Sequence, residues 1–335
     1  MKWSYFLRPM IVAKTKQKGN GKMKKGLKLK SNSPTIGIVT ISAPESVWSP
    51  DIYQRGKAQL EQRGVQIIEG ETVHSESFYL AERPEKIAEG LHNMFLRTDI
   101  EAIMCAGGGT CMNKVLPFLN FSLIRDNYKP FIGISNIVSL MVPLLNEGIV
   151  SFHGPFSIWS YGLPDITPTN FTHNNWIEIL SGYTGKLPSI TKWKTYRSGV
   201  AEGQLIGGNI WSLGVIAGTR YCPASLFDGK VLIIEDIGKT YDRLDGILTQ
   251  MKLLGMFEKL SGVIIGKLSG CNPPENVKMG VEDFISLVFG EYDFPVIYDC
   301  DFGHIPDNLC LPLGCRVRLD AKDVPEITLL ESGVI

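Results

Sequence analysis

Three side chains far apart in the chain have the types that acyl transfer requires, and each stands where an apolar run ends. Ser135 lies in Gly133-Ile134-Ser135-Asn136-Ile137, directly before Val138-Ser139-Leu140-Met141, which reads as the first turns of a helix. A strand-to-helix turn lifts a hydroxyl out of a sheet and points a helix N-terminus at developing negative charge. The run is not G-x-S-x-G, because Ile137 occupies the second glycine's place, and a serine at such a junction also serves as an N-cap. Glu235 closes Val231-Leu232-Ile233-Ile234, where a carboxylate is desolvated unless a donor meets it; a structural ion pair would do this equally well. His304 sits in Asp301-Phe302-Gly303-His304-Ile305-Pro306, on a loop where no helix or strand pattern asks for an imidazole. Hydroxyl, carboxylate and imidazole together are the parts of a nucleophile, an orienting acid and a general base. Among the five histidines His153, in Ser151-Phe152-His153-Gly154-Pro155, is the rival for the base.

A fourth feature is Gly107-Gly108-Gly109-Thr110, which follows the apolar run 100–105. Glycines there let a carbonyl or phosphate oxygen approach backbone N–H groups closely. An oxyanion loop, a phosphate loop and a plain tight turn all fit. The P-loop form is excluded by the missing Gly-Lys-Ser/Thr, and the G-G-D-G-T loop of some small-molecule kinases lacks its aspartate here. Two readings from other classes stay beside the hydrolase: a phosphate-loop kinase and a non-catalytic binder.

To bring these groups together the chain must place strand ends side by side. The β-branched run 35–41 reads as a buried first strand, broken by Ser42-Ala43-Pro44. A helix over 49–63, a strand over 65–68, a helix over 81–97, a strand over 100–105, a helix over 113–118 and a strand over 130–134 follow. Such alternation predicts a doubly wound, mostly parallel, Rossmann-like sheet with helices on both faces. Periodicity fades from 162 to 196, where Pro, Thr, Asn, Gly and Trp dominate. Strands then resume at 204–209, 230–236, 262–266, 295–298 and 316–319, with a helix over 241–254, as in a smaller, β-rich α/β domain of swivelling type. The expected organisation is a basic, poorly ordered extension (1–33), a Rossmann-like domain with Ser135 (34–163), a connection and substrate loop (164–200), and a C-terminal domain with Glu235 and His304 (201–335).

Composition narrows the class. The 335 residues are 44% hydrophobic and 20% charged, an ordinary globular balance that excludes collagen and disordered classes. Ten of the 34 basic residues precede Thr35 and face no acid there, which leaves 24 basic against 34 acidic side chains, a net charge of −10, in the remainder. An acidic body does not read as a nucleic-acid binder. Seven cysteines form no C-x-x-C pair, so neither a disulfide framework nor a zinc site is expected. No apolar run is long enough for a membrane span, and the stretch 3–13 is interrupted by Arg8 and Pro9, so a cytoplasmic protein is expected.

The ordered motifs from Thr35 to about Leu319 resemble the serine peptidase family that unites murein LD-carboxypeptidases with microcin C immunity peptidases. The carriers are 35–44, Gly107-Gly108 with Leu116-Pro117, Phe131-Ile132-Gly133-Ile134-Ser135-Asn136, 148–155, 203–210 with Gly218-Thr219, Leu232-Ile233-Ile234-Glu235-Asp236, and Gly303-His304 followed by Leu311-Pro312-Leu313-Gly314. The resemblance implies a Ser135, Glu235, His304 triad, an oxyanion site at the N–H groups of Gly108 and Asn136, no metal or other cofactor, and a homodimer. It also suggests substrate contacts at Gly109, Trp176, Trp193 and Asn209. Asn136 departs from the family's usual aspartate, and Ala106, Gly109 and Thr110 from the Arg-Gly-Gly-Tyr-Gly of the carboxypeptidase branch. The glycine loop and the 150–155 run look more like the immunity branch. The substrate so implied is an aminoacyl nucleotide cleaved at an amide bond; the alternative is a murein tetrapeptide that loses its terminal D-Ala.

Overall fold

The computed structural model describes residues 22–164 and 170–335. Fourteen strands are found among the described residues: β1 (Thr35–Val39), β2 (Gln66–Glu69), β3 (Ala102–Cys105), β4 (Phe131–Gly133), β5 (Ser151–His153), β6 (Gly185–Lys186), β7 (Lys194–Arg197), β8 (Val200–Asn209), β9 (Lys230–Ile237), β10 (Gly262–Ser269), β11 (Val296–Tyr298), β12 (Leu311–Leu313), β13 (Arg316–Asp320) and β14 (Glu326–Leu329). They form two sheets. The first runs β12-β5-β4-β3-β1-β2 and the second β6-β14-β13-β8-β9-β10-β11-β7.

In the first sheet β2, β1, β3, β4 and β5 are parallel, and only β12 runs against β5. β3 and β4 are buried along their whole length, as strands covered by helices on both faces must be. Helices Pro50–Gln62 and Pro84–Leu96 follow β1 and β2 and supply those covers. The order 2-1-3-4-5 reverses between β1 and β3, and ligands of such sheets bind outside the strands' carboxyl ends at this switch point. Ser42-Ala43, Gly107 to Gly109 and Ser135 all emerge at that edge, after β1, β3 and β4.

The second sheet is mixed. β8, β9, β10 and β11 are parallel, while β13, β14, β6 and β7 pair antiparallel. The pairing sets Asn209 of β8 opposite Glu235 of β9, so both end at one edge. The two lobes touch there: Ser139 Oγ, in the helix Val138–Asn146, donates to the carbonyl of Ser212 at 3.1 Å.

Several expectations change. The region 113–118 is not one helix but two short 3-10 turns, with Pro117 inside the second. The stretch 164–200 is not a loop: it holds the helix Asn170–Leu180 and the strands β6 and β7, although residues 165–169 lie outside those described. The C-terminal half does not keep to its own sheet, since β12 crosses back to cap the first.

Residues 22–33 are also not the poorly ordered extension expected of them. Residues 22–33 are laced to the body: Lys24 N–H donates to Gly148 O at 2.8 Å, Leu29 N–H to Leu180 O at 3.0 Å and Ile335 N–H to Gly26 O at 2.9 Å. The Lys25 ammonium sits 2.6 Å from the Glu331 carboxylate. Residues 1–21 lie outside the described part.

Candidate active site

Ser135 has a backbone φ of +59°, a left-handed conformation that costs a non-glycine residue about 1 kcal/mol or more. It opens the 3-10 turn Ser135–Ile137, which runs directly into the helix Val138–Asn146. Chain reversal this tight needs room, and Gly133 supplies it: a Cβ there would lie 2.7 Å from Ile137 Cγ2. Sequence context therefore produces an elbow without the second glycine of the usual motif.

The glycine loop comes up against this elbow. A Cβ on Gly108 would sit 3.0 Å from both Cβ and Oγ of Ser135. Gly108 O accepts from Ala43 N–H at 3.0 Å, which ties the loop to the end of β1. Gly109 has φ +134°, and a Cβ there would fall 2.6 Å from Ser42 Oγ. Asn136 completes the fastening. Its buried Oδ1 accepts from Ser42 Oγ at 2.7 Å and from Met112 N–H at 2.8 Å, so its side chain braces the elbow and is not aimed at the cleft.

Across the cleft, His304 Nδ1 and Glu235 Oε2 are 2.7 Å apart. The Glu235 side chain is fully buried, and that of His304 is 15% exposed. Burial disfavours both charged forms, but the pair overrides it in each case. Glu235 is held well below the usual carboxylate range by the charge and hydrogen bond of His304 and by the nearby His153 imidazole. His304 is raised above its ordinary value by Glu235, with Asp236 and Glu45 adding to the effect. A carboxylate that stays ionised next to an imidazole fixes its tautomer, leaving Nε2 to take a proton from an approaching hydroxyl.

A cavity of about 500 Å³ lies between the lobes, lined among others by Gly109, Ser135, Asn209, Trp211, Asp236 and Lys239. Gly109, expected as a substrate contact, lines this cavity. Asn209 reaches the same cavity, but its Oδ1 accepts from Ser212 N–H at 3.1 Å and caps the short helix Ile210–Gly214. The two expected tryptophans are displaced from the site. Trp176 is fully buried in the helix Asn170–Leu180 and donates to Tyr161 OH at 2.8 Å, while buried Trp193 donates to Asp301 Oδ2 at 2.8 Å. The apolar face of an unread helix claimed the first ring, and a buried carboxylate the second.

Other side chains, not singled out as site residues from the sequence, line the cavity or stand near the glycine loop. Trp211 is 38% exposed, and the Lys239 ammonium stands 5.6 Å from its ring centroid. Buried Asp236 accepts from Trp211 N–H at 2.9 Å and from Ile237 N–H at 2.7 Å. Glu45, in the first turn after β1, accepts from Trp159 Nε1, and burial raises its carboxyl above the ordinary value despite that donor. Only its position after Ser42-Ala43-Pro44, at a strand's carboxyl end, was a signal for it. Among the described residues no group of three His, Cys, Asp or Glu is placed to hold a metal, and all seven cysteines are free thiols.

A two-lobed α/β hydrolase with a serine elbow, a glycine loop and an acid-imidazole pair at one cleft is the class this arrangement defines. The comparisons give the family. Residues 202–319 match the LD-carboxypeptidase C-terminal domain, and residues 36–154 the LD-carboxypeptidase N-terminal domain, of the S66 peptidases. The chain is 30% identical over 319 residues to the microcin C7 self-immunity protein MccF of Escherichia coli, covering 85% of this chain and 90% of that one. It is also 30% identical over 303 residues to the murein tetrapeptide carboxypeptidase of Pseudomonas aeruginosa, covering 86% and 95%. A solved structure of MccF in complex with glutamyl sulfamoyl guanosine superposes with a TM-score of 0.85 at 27% identity, covering 93% of this chain and all of that one. The chain belongs to the S66 family of LD-carboxypeptidases and is a serine-type hydrolase of that family. No helix among the described residues is long and apolar enough to cross a membrane.

Proposed function

We propose that this hydrolase cleaves the amide bond of an aminoacyl nucleotide, with Ser135 as nucleophile, His304 as general base and acid, and Glu235 as the orienting acid. The observation that carries the substrate class is the exposed indole of Trp211 beside the Lys239 ammonium on the cavity that Ser135 lines. A flat ring next to a cation suits a nucleobase and its attached anionic group, and base stacking on an aromatic side chain stabilises by about 1–3 kcal/mol. The bound ligand of the superposed MccF structure is of this class.

In this reading His304 Nε2 takes the Ser135 proton as Oγ adds to the amide carbonyl. The oxyanion is met by the N–H groups of Gly108 and Asn136, each such donor contributing about 3 kcal/mol in the transition state. His304 then returns the proton to the leaving nitrogen, and an acyl-enzyme remains. Water gives its proton to the same imidazole, attacks the ester and frees Ser135.

The second reading is murein tetrapeptide cleavage, favoured by equal identity to the Pseudomonas aeruginosa carboxypeptidase; Lys239 would then hold the terminal carboxylate of D-Ala. The deciding experiment incubates the purified protein with aspartyl sulfamoyl adenosine and with a murein tetrapeptide, and follows both by mass spectrometry. Released aspartate with sulfamoyl adenosine is expected. Free D-Ala alone would reverse the assignment, and turnover by Ser135→Ala would remove the nucleophile.

A further inference from the structure

Glu235 is flanked by two imidazoles, and only one has a place in the mechanism above. His304 engages Oε2. On the other side His153 Nε2 stands 3.8 Å from Oε1, with both side chains fully buried. Among the described residues neither ring nitrogen of His153 nor Oε1 of Glu235 has a hydrogen-bond partner. A carboxylate oxygen left bare at full burial is costly, and so is an imidazole with no partner on either nitrogen. The two deficits face each other.

We propose that His153 is a positioning residue of this site: in its Nε2–H tautomer it donates to Oε1 of Glu235, so that the acid is held on both sides in the plane that His304 needs. This rests on the reading of Glu235 and His304 as catalytic acid and base. The choice of tautomer follows from elementary electrostatics. The Nε2–H form places a proton between nitrogen and carboxylate and leaves only a lone pair bare at Nδ1. The Nδ1–H form would leave a bare donor and turn a lone pair toward the anion. The proposed contact requires the 3.8 Å separation to shorten to hydrogen-bond length.

The surroundings hold the ring for this purpose. His153 ends β5, paired with Gly133 of β4 on one side and with Leu311 of β12 on the other. Phe302 meets the ring edge-on, with centroids 5.9 Å apart at 87°. Gly208 has φ +132°, and a Cβ there would come within 2.9 Å of His153 Cδ2, so only glycine leaves the ring its seat. The charged groups around the acid are His304 on its loop, Asp236 next in β9 and Glu45 across the cleft.

The test uses Gln and Asn as partial mimics: Gln carries its amide nitrogen near the ε position of histidine, Asn near the δ position. The reporter is the rate at which a fluorophosphonate probe modifies Ser135, forming the Oγ–P bond with loss of fluoride while the proton passes to His304. His153→Leu and His153→Asn should react at least tenfold more slowly, and the acidic limb of their pH profile should move to higher pH, because a less stabilised carboxylate holds the shared proton more tightly. His153→Gln should recover most of the lost rate. A second measurement needs no variant: nitrogen-15 NMR of the wild-type histidines should show His153 as the Nε2–H tautomer at neutral pH. An Nδ1–H tautomer, or a His153→Leu protein labelled at the wild-type rate with an unmoved limb, overturns the proposal. If wild-type Ser135 does not react with the probe, the serine mechanism fails, while the NMR result still decides the contact.

Discussion

Replacing Glu235 by Gln keeps the shape of the buried acid and removes its charge. The amide oxygen can still accept from His304 Nδ1, whose present partner is 2.7 Å away, so orientation survives while the counter-charge of the imidazolium is lost. With charge spread over both groups, a mean separation of about 4 Å and an effective dielectric of about 20 give roughly 4 kcal/mol. That is a fall of about a thousandfold in kcat. The sign of the pH effect is opposite to that expected for His153 variants. Glu235 is the main group that raises His304 against its burial, so without it the imidazole's value falls and the acidic limb moves down. Stability carries the same signature. The depressed Glu235 stabilises the fold above its unfolded value of 4.5, an effect lost as pH falls through the folded value. The raised His304 stabilises the fold below 6.5, an effect lost as pH rises through its folded value. Wild-type Tm should therefore be greatest between these two values, and Glu235→Gln should flatten that maximum. Phosphonate labelling or turnover against pH, with Tm across the same range, is the assay. A variant within threefold of wild type at its plateau, or one whose limb stays put, refutes the pairing.

Gly108→Ala should cost at least tenfold in kcat with little change in Tm, because its Cβ would press within 3.0 Å of Ser135 Oγ; steady-state kinetics and a melting curve check this. Trp211→Ala should raise KM for an aminoacyl nucleotide about tenfold while leaving any murein tetrapeptide activity untouched, and equal losses for both would show that the indole does not read the base. Asn136→Ala strips acceptors from Ser42 Oγ and Met112 N–H, both buried, and should destabilise the protein by about 2–3 kcal/mol in urea unfolding; an unchanged midpoint would deny the brace.

The first lobe was legible because its strands are continuous apolar runs with turn residues at their ends. Thr35 to Val39, Ala102 to Cys105 and Phe131 to Gly133 fall inside the runs read from sequence. Ser151–His153 and Leu311–Leu313 were not legible: each is three residues long, and they pair with each other across more than 150 residues, which no local pattern encodes. The lysine-rich stretch misled for a related reason. Composition describes side chains, but residues 22–33 are tied down by backbone groups of Gly148, Leu180 and Ile335.

For the site, the types and spacing of Ser135, Glu235 and His304 were determined by the sequence alone, since each ends an apolar run that must be a buried strand or its loop. Glu235 and His304 meet because β9 and β11 flank β10 in parallel, which sets their loops at one edge. Which tryptophan faces the cleft was decided only by tertiary packing: burial took Trp176 and Trp193 into the interior and left Trp211 at the cavity. An indole's chemistry is the same at all three positions. The amount of water each ring displaces is a property of the assembled fold, and no window of sequence contains it.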